Sequence, residues 1–252
     1  MTVASAVRPQ PSTPVETAKE VVATTEAIGR RETLPKRAVL ARSRVGQAVA
    51  AAAFAGFAAI YGLVRARRSE AFDVAMMIKL QASRAPGVEA LMRVASWPGF
   101  PPQSRVIPPL IVAALAALGL RIEAFCQLLG WMTGLLSSVL KSMMKRPRPG
   151  HPDIRVVVAP LGGSSFPSGH VITYVGTYGF LAYLVHSLVR PVAPRRAIVA
   201  GLVGLVGLVG PSRIQQGHHW PTDVLASYLL GLSYLIGLTS LYRVLKERLA
   251  KR

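Results

Sequence analysis

Residues 45–64 read VGQAVAAAAFAGFAAIYGLV, twenty residues without a charge. The hydrocarbon core of a bilayer takes about 20 apolar residues of helix. The stretch therefore predicts a membrane-spanning helix, and with it the fold class. It starts too late and runs too long to be the apolar core of a cleavable signal peptide. Upstream, residues 1–44 are rich in Pro, Thr, Glu and Ala and contain no apolar run, the composition of a disordered cytoplasmic tail. Downstream, uncharged stretches recur at Val106–Leu120, Ala124–Leu140, the second half of Val156–Val189, Ala197–Ser212 and Val224–Tyr242. The expectation is an all-α integral membrane bundle of about six transmembrane helices, occupying residues 45–252 behind the tail. The second span is short and contains Pro108 and Pro109. Between the first two spans, residues 65–105 show partial helical spacing broken by Trp97–Pro102, a pattern suited to an interfacial re-entry.

Composition agrees. The chain of 252 residues has 30 Lys+Arg against 11 Asp+Glu, a formal charge of +19, yet only 16% of its residues are charged and 51% are hydrophobic. A soluble nucleic-acid-binding domain carries about a quarter charged residues. Here the bases punctuate long apolar segments and fall on both sides of the membrane, so no nucleic-acid partner is expected. The single cysteine, Cys126, can form neither an intrachain disulfide nor a cysteine metal cluster. With the N-terminus inside, cytoplasmic segments carry 17 bases against 13 outside. The bias favours cytoplasmic N- and C-termini. Gly201, Gly204, Gly207 and Gly210 recur every third residue and suggest a close-packed stripe on one helix.

Charged residues and histidines beside spans are expensive there and are functional candidates. Three clusters stand out: KSMMKRPRP at 141–149, FPSGH at 166–170 and SRIQQGHHWPTD at 212–223. In a six-span topology all three lie on one membrane face. Lys141, Arg148 and Arg213 are cations suited to an oxyanion, the arginines offering a planar fork for phosphate. Ser168 and Gly169 precede an apolar run and fall at a helix N-terminus, where free N–H groups favour phosphate. Gly169 leaves room for close approach, and His170 sits in the first turn, placed to give a proton. His219 and Asp223 are four apart and share a helical face, so the carboxylate can hold one ring nitrogen and leave the other to attack. His218, five from Asp223, is the weaker nucleophile. Lys145, Arg146 and Arg155 read as membrane anchors.

Between Asp153 and Glu247 the only carboxylate is Asp223. A two-metal phosphatase needs several. The expected chemistry uses fixed cations and histidines, with no metal and no cofactor.

The three clusters resemble the tripartite signature of the type 2 phosphatidic acid phosphatase superfamily, shared with vanadium haloperoxidases: K-x6-R-P, P-S-G-H and S-R-x5-H-x3-D. Lys141 with Arg148-Pro149, Pro167-Ser168-Gly169-His170, and Ser212-Arg213 with His219 and Asp223 occupy every position. The resemblance selects His219 over His218. It implies a metal-independent covalent mechanism. His219 attacks phosphorus, Asp223 holds its tautomer, and His170 protonates the leaving oxygen and later activates water. Lys141, Arg148, Ser168, the Gly169 N–H and Arg213 bind the phosphate oxygens, with Ser212, Pro149 and Pro167 in support. It also implies an active site facing outside the cell membrane. The substrate would be a lipid phosphomonoester or diphosphate drawn from the membrane, such as phosphatidic acid, phosphatidylglycerol phosphate or undecaprenyl diphosphate. A lipid phosphotransferase is one alternative. A non-catalytic transporter is another, and it leaves the convergent histidines unexplained.

Overall fold

The computed structural model describes residues 36–82, 85–157 and 162–250. Nine helices follow in order among the described residues: α1 (Lys36–Arg65), α2 (Glu70–Gln81), α3 (Pro86–Ser96), α4 (Gln103–Ala117), α5 (Arg121–Trp131), α6 (Thr133–Met144), α7 (Gly169–Leu188), α8 (Val192–Gln215) and α9 (Pro221–Ala250). Five stretches are long and apolar enough to cross a membrane: α1 from Arg44, α5 and α6 together, α7, α8 and α9; α4 is the shorter sixth apolar helix. The expected helical membrane bundle is what the chain forms. The first helix begins at Lys36, inside the stretch expected to be tail; residues 1–35 lie outside the described part.

The 30-residue helices α1 and α9 run antiparallel, Gly46 facing Ile236 and Gly56 facing Leu229. Helix α7 is the central post, far more of it buried than of α1. Its buried side chains reach all three apolar clusters, through Tyr174, Ile172 and Phe180. Helices α5 and α7 touch backbone to backbone. A Cβ on Gly130 or on Gly176 would overlap the other glycine's carbonyl oxygen, which is how small residues let helices approach in lipid. One π-turn, Val175–Gly179, interrupts α7 there. The Thr177 carbonyl in that turn accepts from Gln127 Nε2 at 2.9 Å. Lipid offers no hydrogen bonds, so backbone groups need such partners. The glycine stripe of α8 is different. A Cβ added at Gly201, Gly204 or Gly207 would meet nothing within 4 Å, and only Gly210 packs, against Tyr228. The every-third spacing drifts around the helix, so one glycine reaches the interface.

The segment after α1, expected as an interfacial re-entry, holds no helix long enough to cross a membrane among its described residues. Helices α2 and α3 and the 3₁₀ turn Trp97–Gly99 fold over the ends of α7 and α8. Gln81 fastens α2 there. Its amide donates to the carbonyls of Arg155, Ile214 and Gln215, and its oxygen accepts the Arg155 N–H.

Candidate active site

The end of α6, the start of α7, the end of α8 and the start of α9 meet on one face of the bundle, beside the C-terminal end of α1. The N-terminal half of α1 and the C-terminal end of α9 lie toward the other face. His219 is buried in the turn before α9, 3% exposed. Its Nδ1 donates to the Ser165 carbonyl at 2.7 Å, and Asp223 Oδ2 lies 3.7 Å from the same nitrogen. Two acceptors therefore fix the tautomer, the nearer being a backbone carbonyl that residue spacing gives no way to foresee. The ring's Nε2 has no hydrogen-bond partner among the described residues and is the nitrogen free to react. Burial lowers the His219 pKa from 6.5 to about 4; the Lys141 and Arg148 cations push the same way and Asp223 opposes them. At neutral pH the imidazole is uncharged, as a nucleophile must be.

Asp223 is the third helical residue of α9, and Oδ2 accepts the Trp220 N–H at 2.9 Å. This is the reciprocal half of a capping box, which makes the carboxylate part of the helix start. Pro221, at the first helical position, lacks an N–H where none would be paired.

His170 sits in the first turn of α7, its Nε2 3.4 Å from Arg213 Nη1. Phe100 stands edge-on to its ring, with centroids 4.9 Å apart, and a side chain at position 99 would collide with it. Arg213 is fully buried. It donates to Gln216 Oε1 at 2.7 Å, faces His218 Nδ1 at 3.2 Å, and stacks over Phe100 with 4.8 Å to the ring centre. Ser212 Oγ is 3.4 Å from Arg213 Nε and itself donates to the Val209 carbonyl, so its contact is with the arginine. Lys141 Nζ donates to the Ser164 carbonyl at 2.7 Å, and Arg148 to the carbonyls of His218 (2.8 Å) and Gly162 (3.3 Å). Burial lowers the Arg148 pKa from its ordinary value, against the pull of Asp223. Carbonyl oxygens are modest partners for such cations, and a phosphate is the stronger acceptor.

At the start of α7 the N–H groups of Gly169 and His170 have no intrahelical acceptor. Ser168 donates its N–H to Ser227 Oγ, while its own Oγ is buried without a partner. A Cβ on Gly169 would come to 3.4 Å from Ser137 Oγ and 3.9 Å from Lys141 Cε, so this backbone lies against the lysine. Pro149 and Pro167 are buried in the segments that carry Arg148 and Ser168. The residues of the three motifs thus converge. His218 is buried beside them, its pKa lowered to about 4 by burial and by Arg213, and its Nε2 is buried without a partner.

Several participants escape a reading of motifs. Arg146, expected as an anchor, is buried and pairs with both Asp223 and Asp73. Asp223 is therefore not the only carboxylate here, since α2 delivers Asp73 from far upstream. Ser137, one turn before Lys141, faces the site with its Oγ unpartnered. Phe100 belongs to the aromatic and proline cluster that marked the break before α4. A cavity of about 560 Å³ opens alongside, lined by Val64, Arg65, Arg67, Met144, Lys145 and Trp220 among others; the motif histidines do not line it.

A helical membrane bundle with two histidines, a carboxylate and three cations gathered at one face is the arrangement that the three motifs describe. Residues 124–247 match the model of the PAP2 superfamily. The chain carries that superfamily's domain over about half its length, and the three motifs fall inside it. Among solved structures, the chain is similar to one titled the first transmembrane PAP2 type phosphatidylglycerolphosphate phosphatase from Bacillus subtilis. The TM-score is 0.66 at 24% identity, covering 79% of this chain and 96% of that one; at this identity the likeness concerns the fold. No curated protein matches the chain in sequence.

Proposed function

We propose that the protein is an integral membrane lipid phosphatase that works through a phosphohistidine. The observation that carries this reading is the His219 geometry: Nδ1 held by Ser165 and Asp223, Nε2 free, and the ring buried, uncharged and within the field of Lys141 and Arg148. His219 Nε2 forms a bond to phosphorus as the bond to the leaving oxygen breaks, and His170 gives that oxygen a proton. His170 then takes a proton from water, whose oxygen attacks phosphorus and releases phosphate from His219. Lys141, Arg148, Arg213, Ser168 Oγ and the Gly169 N–H bind the non-bridging oxygens as charge builds. Asp73 and Asp223 are both engaged by Arg146, which supports a mechanism without a metal ion.

The site sits at the ends of apolar helices long enough to cross a membrane, which supports as substrate class a phosphomonoester or diphosphate whose apolar tail stays among the helices. Phosphatidylglycerol phosphate, phosphatidic acid and undecaprenyl diphosphate all satisfy it. The basic balance of the chain supports a site facing outside, with the N- and C-termini cytoplasmic. Purified protein in sealed vesicles, oriented as in the cell, given each lipid from outside with EDTA present, should release phosphate from at least one. Release from none, or only after a divalent metal is restored, contradicts the reading. Release only after the vesicles are opened contradicts the orientation.

A further inference from the structure

Outside the motifs, one cluster of charges is as deeply buried as the site itself. Asp73, on α2 and upstream of the family-matched segment, is fully buried. Arg146 occupies a position that the first motif leaves open. One terminal nitrogen of Arg146 donates to Asp73 Oδ2 at 2.6 Å and Ser69 Oγ at 3.2 Å; the other donates to Asp223 Oδ1 at 2.5 Å and Thr222 Oγ1 at 2.9 Å. Thr222 donates its N–H to Asp73 Oδ1 at 2.9 Å and its hydroxyl to Oδ2 at 2.8 Å. With Trp220 on Asp223 Oδ2, all four carboxylate oxygens are engaged.

Buried ion pairs are weak evidence for stability, because desolvation offsets most of the attraction. Fastening α2 does not require charge either, since Gln81 does so with neutral hydrogen bonds. What this network adds is a net charge. Two carboxylates and one guanidinium leave −1 beside His219. Arg146 facing Asp223 alone would cancel the charge that supports the imidazole. The other charged or titratable groups facing His219 are Lys141, Arg148, His170 and His218, none of them negative.

We propose that Asp73 and Arg146 are positioning residues of the site: Arg146 clamps Asp223 against His219, and Asp73 balances the guanidinium so that Asp223 still presents negative charge to the ring. The kinetic consequence rests on the phosphohistidine reading above; the electrostatic one does not.

The test is the titration of His219 followed by ¹⁵N NMR in detergent without substrate, the signal assigned by its loss in His219→Gln. Asp73→Asn keeps the shape and removes the balancing charge, and should lower the His219 midpoint by about one pH unit. Adding Arg146→Gln restores the net −1 and should return the midpoint toward the wild-type value. Arg146→Lys keeps the charge but reaches one carboxylate at a time, so it should hold the midpoint while loosening the geometry. On a lipid phosphate that the protein hydrolyses, Asp73→Asn and Arg146→Lys should each reduce kcat about 10- to 100-fold with KM within about twofold. An unmoved midpoint in Asp73→Asn, or a double variant that fails to restore it, overturns the proposal. If wild-type protein hydrolyses no lipid phosphate, the functional reading fails while the NMR comparison still decides this one.

Discussion

A buried imidazole stays neutral unless its surroundings stabilise the cation, and His218 and His219 are both buried beside cations. Their pKa values of about 4 lie below the ordinary 6.5. Between those limits the unfolded chain binds protons that the folded chain refuses, so stability rises with pH across this window and falls as the pH drops from 6.5 toward 4. Thermal unfolding in detergent should show that slope, and His218→Gln should flatten it; an unchanged slope contradicts the burial of that ring. The motif residues themselves were legible because phosphate chemistry needs particular side chains at particular spacings. The Ser165 carbonyl and Asp73 were not, since a backbone acceptor has no sequence signature and Asp73 is far upstream of its partners Arg146 and Thr222.

Helix positions were legible from uncharged runs, because a span has to be apolar over its whole length. Which face of each span packs was less so, since apolar residues serve equally against lipid and protein. The glycines show this. Those of α8 looked like a packing stripe, yet Gly201, Gly204 and Gly207 meet nothing, while Gly130 and Gly176, with no repeat to mark them, hold α5 against α7. Gly176→Ala should lower stability by about 1–3 kcal/mol or more through overpacking. Gly204→Ala should stay within about 0.5 kcal/mol of wild type or improve on it. Chemical unfolding in mixed micelles separates the two, and equal effects would contradict the close α5–α7 contact.

At the scale of the molecule, the bundle brings four helix ends to one face, and the short helix α2 closes that face with Asp73 and Gln81. The segment carrying α2 and α3 was legible as an interruption between spans, but its docking was not, because the partners of Gln81 are carbonyls of residues 155, 214 and 215. The arrangement makes a covalent intermediate the centre of the account. The direct measurement is to mix the protein with a ³²P-labelled lipid phosphate that it hydrolyses, quench in alkali within a turnover, and map the label. An acid-labile, base-stable phosphoryl group should appear on His219 and be absent in His219→Gln. Phosphate release with no label on the protein, or with label on another residue, would contradict it.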